Sequence, residues 1–206
     1  MGKMSLQLLF KSRLFWFSLL FLIIASSLNM VSSQIIQDFF PDRIPVTDTL
    51  FQLTPQIMWT QYLTDVAAFL GPLFLLYLII KKDFRHLPYH LITIGAGYLL
   101  RAFLVLLNPV GGYFGNMDTY GLTNIIQHGM FPSGHTMLVF IVYFLSTEIA
   151  DKKWRIFFLI NGLVEIVSLI LSRGHYGVDI AGGILVAYFV VNEMKKRKSA
   201  LRIQPL

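Results

Sequence analysis

The sequence predicts an all-α polytopic membrane protein of six transmembrane helices with both termini cytoplasmic, and three observations predict it. Of 206 residues, 55% are hydrophobic and 14% charged, more apolar surface than a soluble domain of this size can bury. The apolar residues gather into runs near the ~20-residue length that crosses a hydrocarbon core. Every lysine lies beside a run end that alternation assigns to the inside.

The same observations bound partners. The formal net charge of +6 sits beside apolar runs, which reads as the positive-inside rule and not as a nucleic-acid surface. With no cysteine, the chain has no disulfide, zinc thiolate site or cysteine nucleophile. A single membrane domain accounts for residues 1–206.

Lys3, Lys11 and Arg13 precede the first run, about Leu14 to Val31. It is a first span or a cleavable signal, with Val31-Ser32-Ser33 resembling a cleavage site. Residues 34–57 carry Pro41, Pro45, Pro55, Asp38, Asp42, Arg43 and Asp48 and form a turn-rich outer connection. The second span, about Met58 to Ile80, ends against Lys81, Lys82 and Arg85, the mark of a cytoplasmic loop to which His86 and His90 also belong. The third, about Leu91 to Leu107, contains Arg101. The long loop over residues 108–132 has Asp118 as its charge and faces outward. The fourth span runs from about Ser133 to Ala150, followed by Asp151, Lys152, Lys153 and Arg155 inside. The fifth covers about Ile156 to Ser172 and the sixth about Gly177 to Asn192, closed by Lys195, Lys196, Arg197 and Lys198.

That topology brings charged residues from four spans to one leaflet: Arg101, His135, Arg173, and His175 with Asp179. Ionisable residues at membrane depth are costly and mark a polar cavity. His175 and Asp179 are four apart and share a helix face, so the carboxylate can orient the ring and leave its other nitrogen as nucleophile or base. In Pro132-Ser133-Gly134-His135, Ser133 and Gly134 stand at a helix start, where free N–H groups and the dipole favour an anion such as phosphate. His135 is then placed as acid and base. Arg101 and Arg173 supply permanent charge for phosphate oxygens. Taken singly, Ser133 reads as a helix cap, and His175 with Asp179 as a local helix pair; their convergence with two arginines favours phosphoryl-transfer chemistry. No dense ligand motif supports a metal site from His135, His175, Asp179 and His128, and no metal or other cofactor is expected. Asp65 and Glu165, inside spans two and five, line a head-group pocket or partner polar groups in the bundle. Gly182 and Gly183 read as sites of close helix packing.

At these residues the chain resembles the superfamily of type-2 phosphatidic acid phosphatases and vanadium haloperoxidases. Pro132 to His135 match its second motif in full. Its phosphatase third motif, Ser-Arg, five residues, His, three residues, Asp, is met at Ser168, His175 and Asp179, with Leu169 in the arginine's place. The arginine stands instead at Arg173, two before the histidine, as in the similar sphingomyelin synthase branch. The first phosphatase motif is represented by Arg101 and Asn108-Pro109, without its usual basic identities. Pro41-Asp42-Arg43-Ile44-Pro45 through Asp48 resembles the first loop of the sphingolipid synthases. Gln127-His128-Gly129-Met130 departs from the Cys-Gly-Asp of animal sphingomyelin synthases. The resemblance covers roughly residues 40–195.

It implies His175 as nucleophile forming a phosphohistidine, Asp179 as its orienter, and His135 as acid and then base. The donor would be a phospholipid, and the acceptor a lipid hydroxyl in a head-group transferase or water in a lipid phosphatase. The branch features favour transfer. The implied location is a bacterial plasma membrane, or a secretory-pathway membrane in a eukaryote, with the site on the outer or lumenal side. The rival readings are a non-catalytic lipid-binding protein of lipid storage and a small transporter.

Overall fold

The computed structural model describes residues 4–113 and 129–198. Helices follow one another as α1 (Leu6–Lys11), α2 (Arg13–Phe39), α3 (Thr49–Leu53), α4 (Thr60–Lys82), α5 (Leu87–Leu107), α6 (Gly134–Ile149), α7 (Lys152–Leu171) and α8 (Gly177–Arg197), with a 3-10 turn at Phe84–His86 before α5. Among the described residues there is no strand, only an isolated parallel bridge between Pro45 and Gly111.

Among the described residues, five helical segments are long and apolar enough to cross a membrane: Arg13–Phe39, Thr60–Lys82, Phe84–Leu107, Lys152–Leu171 and Gly177–Arg197. The sequence predicts a further span at about Ser133 to Ala150, and there the helix has 16 residues, about 24 Å of rise. Both ends are stopped locally. Ser133 caps the start, and Ala150 turns extended just before Asp151 caps α7. The helix is also shielded, because it packs on α4, α5, α7 and α8 and fully encloses Met137, Ile141, Val142 and Leu145. A helix surrounded by protein is not held to the length that lipid contact demands.

Two boundaries differ from the sequence reading. α2 runs on through residues 34–39, which the sequence assigns to the connection; Ile36 is buried there, and Gln34 donates to Asp38 at 2.8 Å on the exposed face. Val31-Ser32-Ser33 lie inside this continuous helix, with Ser32 and Ser33 buried. His86 and His90 are enclosed at the start of α5 and not spread in a loop. Asp83 caps this region by accepting from the Arg85 amide at 3.0 Å, and Pro88 occupies the first turn of α5.

Polar seams and small residues bring the helices together, as expected where the bilayer offers no hydrophobic drive. Between α4 and α7, Thr64 Oγ1 donates to Ser168 Oγ at 3.0 Å and Asn161 Nδ2 to the Ala67 carbonyl at 3.0 Å. At the opposite end of the bundle from His135, Lys198 Nζ donates to Glu148 Oε2 at 2.5 Å, fastening the end of α8 to the end of α6.

Candidate active site

The site begins in the turn that ends α7. Ser172 Oγ donates back to the Ser168 carbonyl at 2.7 Å, and the Gly174 amide reaches the Leu169 carbonyl at 2.9 Å. Between them Arg173 takes φ 61°, a left-handed conformation that is strained for a side-chain-bearing residue. Its guanidinium is compensated fully enough to hold it there. Nη2 donates to the carbonyls of Phe51 at 2.7 Å and Thr54 at 2.6 Å, Nη1 to Thr54 Oγ1 at 2.9 Å, and the group lies 4.7 Å from the Phe51 ring centroid. Arg173 thereby pins α3 over the α7–α8 turn.

α8 then starts at Gly177. Asp179 Oδ2 accepts from the Tyr176 amide at 3.1 Å and stands 3.3 Å from His175 Nδ1. One carboxylate thus closes the helix start and fixes the ring, leaving Nε2 of His175 free of that contact. Burial holds the His175 ring below the usual histidine range, opposed by Asp179; the neutral form is the one with a nucleophilic nitrogen. The Gly177 amide donates to Asp48 Oδ2 at 2.7 Å, while Asp48 Oδ1 accepts from Leu50 and Phe51. Tyr176, enclosed, donates to the Gly111 carbonyl at 2.9 Å and accepts from the Val46 amide at 3.3 Å.

The second motif is joined to the third through backbone. The Ser133 amide donates to the Asp179 carbonyl at 2.9 Å, and Ser133 Oγ accepts from the Thr136 amide at 3.2 Å, capping α6. Gly183 makes this approach possible, because a Cβ there would lie 2.8 Å from the Ser133 carbonyl oxygen. Arg101 holds the motif from the other side: Nε donates to the Pro132 carbonyl at 2.8 Å, Nη2 to the Gly129 carbonyl at 2.8 Å and Nη1 to Asn29 Oδ1 at 2.7 Å. A Cβ at Gly134 would come within 3.0 Å of Arg101 Nε.

The outcome is a pair of rings, His135 and His175, with centroids 6.4 Å apart. Ser133, Gly134, Asp179 and Arg101 surround them, and Arg173 lies in the same turn as His175. Both guanidinium groups spend donors on protein acceptors, so their charge reaches the space between the rings as a field more than as open forks. Three residues that the sequence reading gave no role in the site belong to this frame. Asn29 carries a faint signal, a polar residue within an apolar run. Asp48 closes the stretch that resembles the sphingolipid synthase first loop, but nothing local points Asp48 or Val46 to partners about 130 positions away. Gly115, Asp118, Gln127 and His128 lie outside the described residues.

The geometry can be set beside known proteins. Residues 130–196, the stretch bearing both histidines, match the PAP2 superfamily C-terminal family. Over an alignment of 206 residues the chain is also 24% identical to phosphatidylcholine:ceramide cholinephosphotransferase 1 of Caenorhabditis elegans. That alignment covers 82% of this chain and 43% of the relative, so the chain spans less than half the length of the relative it matches. The PAP2 stretch includes α6, α7 and α8, the elements that carry Ser133, His135, Arg173, His175 and Asp179. The resemblance noted in the sequence therefore holds at the level of the superfamily and of its sphingomyelin synthase-like branch.

Proposed function

We propose that this protein is a membrane-embedded phosphotransferase acting on phospholipid head groups through a phosphohistidine at His175. The observation that carries the reading is the pair of rings 6.4 Å apart, one of them held by a carboxylate. A phosphoryl group between such rings can be attacked by one at the roughly 3–3.5 Å separation a reacting pair needs, while the other serves the leaving oxygen. The relationship to a phosphatidylcholine:ceramide cholinephosphotransferase supports transfer over hydrolysis.

In this reading His175 Nε2 attacks the phosphorus of the donor lipid, with Asp179 steadying Nδ1. His135 gives a proton to the departing lipid oxygen. A lipid hydroxyl such as that of ceramide or diacylglycerol then attacks the phosphohistidine while His135 takes its proton back. Ser133 and Gly134 place first-turn amides of α6, which have no intrahelical acceptors, beside the phosphate. Arg101 and Arg173 add positive potential for a reaction catalysed chiefly by positioning and charge. In this reading, six spans with cytoplasmic termini put the chemistry on the outer or lumenal face of a bacterial plasma membrane or a secretory-pathway membrane, with α6 as the short, protein-shielded fourth span.

The test is a pair of parallel assays on purified protein: head-group transfer from phospholipid to fluorescent ceramide or diacylglycerol, and phosphate release from phosphatidic acid. Transfer lost by roughly 10⁴-fold in His175→Ala is the expected result. Release without transfer makes the protein a lipid phosphatase with water as acceptor. Turnover retained in His175→Ala, or absent from folded wild-type protein across donors, contradicts the enzymatic reading and leaves a lipid-binding protein. Supplying the acceptor only to the outer leaflet of sealed right-side-out vesicles tests the face.

A further inference from the structure

We propose that Asp48 is a positioning residue for His175: it ties the first amide of α8 to α3, so that one short helix splints both sides of the turn carrying the nucleophile. This rests on the phosphotransferase reading above and extends it to a residue outside the PAP2-matching stretch.

The α7–α8 turn needs support from outside itself. Arg173, two residues before His175, takes φ 61°, which costs free energy in a residue with a Cβ. Gly177, two residues after it, opens α8, and the first amides of a helix have no acceptors within it. Tyr176, at the cap position, spends its hydroxyl on the Gly111 carbonyl and the Val46 amide. Asp179 takes the Tyr176 amide. The Gly177 amide is taken by Asp48 Oδ2 at 2.7 Å, from 129 positions away, the short distance of a hydrogen bond to a charged acceptor.

The two oxygens of Asp48 serve different helices. Oδ1 accepts from the Leu50 and Phe51 amides at 2.8 and 3.2 Å and caps α3, while Oδ2 reaches α8. At the other end of α3, the Phe51 and Thr54 carbonyls accept from Arg173 Nη2 at 2.7 and 2.6 Å. With five residues α3 is too short to hold itself, so it is braced at its start through Asp48 and at its end through Arg173. His175 lies midway between the two anchored positions, 173 and 177. The contact is close: a Cβ at Gly177 would stand 2.9 Å from Leu50 Cδ1 and 3.4 Å from Asp48 Oδ2. With both sides fixed, His175 Nδ1 keeps its 3.3 Å register with Asp179 and Nε2 keeps one direction. Freed on the Gly177 side, the ring swings, and a displacement of about 1 Å costs about 100-fold in rate. Asp48 touches no substrate in this account and acts through the backbone of α8.

Variants of the full chain in nanodiscs separate this role from a plain cap of α3. Asp48→Ser keeps a good N-cap oxygen for α3, but one oxygen cannot also reach Gly177. Gly177→Pro removes the N–H that Asp48 accepts, at a first helical position that favours proline. It follows Tyr176, whose φ −64° and ψ 156° suit a residue before proline. Each variant is expected to lower kcat by about 100-fold with KM little changed, and the double variant by no more than either, since both break one tie. With ¹⁵N-labelled histidine, and His175→Gln assigning the signal, the wild type is expected to hold the Nδ1–H tautomer at His175 and the variants a mixture, a change that lost stability alone does not produce. Wild-type kcat in Asp48→Ser, losses that multiply in the double variant, or an unaltered tautomer overturns the proposal. Should Gly177→Pro fail to fold, the kcat and tautomer of Asp48→Ser decide. If wild-type protein turns over no donor, the phosphotransferase reading fails by itself; the tautomer spectra then still uphold or overturn the tie from Asp48 to His175.

Discussion

At the scale of single residues, Arg101 joins three chain segments that are far apart in sequence. Its nitrogens satisfy the Pro132 and Gly129 carbonyls ahead of α6 and the Asn29 amide group of α2. A lysine has one nitrogen and cannot reproduce a planar three-way fork. Arg101→Lys is therefore expected to leave two buried acceptors unpaired and to cost about 2–4 kcal/mol, read as a lower midpoint of thermal unfolding in detergent. An unchanged midpoint would mean that the fork contributes nothing to stability. The candidate site residues were legible in the sequence because imidazoles, guanidiniums and carboxylates interrupt apolar runs. What each guanidinium does was less legible. Arg101 and Arg173 were read as phosphate ligands, yet their protein acceptors, the carbonyls of Phe51, Thr54, Gly129 and Pro132, are backbone groups with no sequence signature.

At the scale of elements, the site exists because α6 and α8 touch at their starts. Gly182 and Gly183 carry that contact. A Cβ at Gly182 would meet the Phe131 ring at 2.5 Å, and one at Gly183 the Ser133 carbonyl oxygen at 2.8 Å. The ring can turn aside; the carbonyl is backbone and belongs to the histidine motif itself. Gly183→Ala is expected to push α6 and α8 apart, to destabilise by about 1–3 kcal/mol, and to lower transfer more than a stability loss of that size explains, because the His135–His175 spacing opens. Thermal unfolding and activity measured on the same preparation check it; full activity would show that the helices can separate without cost. The start of α6 at the Ser133 cap and the start of α8 at Gly177 were readable from cap chemistry and the glycine. The length of α2 and the folding of His86 and His90 into the helical frame were not. Those depend on contacts with distant elements, such as Ile36 buried within the bundle, which outweigh the local turn signals.

At the scale of the whole molecule, the described residues form a bundle of five long apolar helices and one short shielded helix, with the candidate site residues drawn to one end. Hydropathy made the helical membrane class legible, since runs near 20 residues are its direct signature. It located α6, read as about Ser133 to Ala150 and found as Gly134–Ile149 between those two caps, but hydropathy counts apolar residues and cannot see whether they face lipid or protein. The loop from Pro45 to Thr54 is the whole-molecule feature the sequence barely announced. Through Asp48, Tyr176 and Arg173 it is fastened to the α7–α8 turn, which makes that side of the candidate site a product of residues over a hundred positions apart.

The central claim is that phosphorus passes through His175. It is tested most directly by quenching a reaction with phospholipid labelled at its head-group phosphate and asking whether the protein carries label stable to alkali and lost in acid. Label is expected on His175, absent from His175→Ala and discharged on adding ceramide or diacylglycerol. Turnover with no labelled protein under rapid quench, or label that persists in His175→Ala, would contradict it.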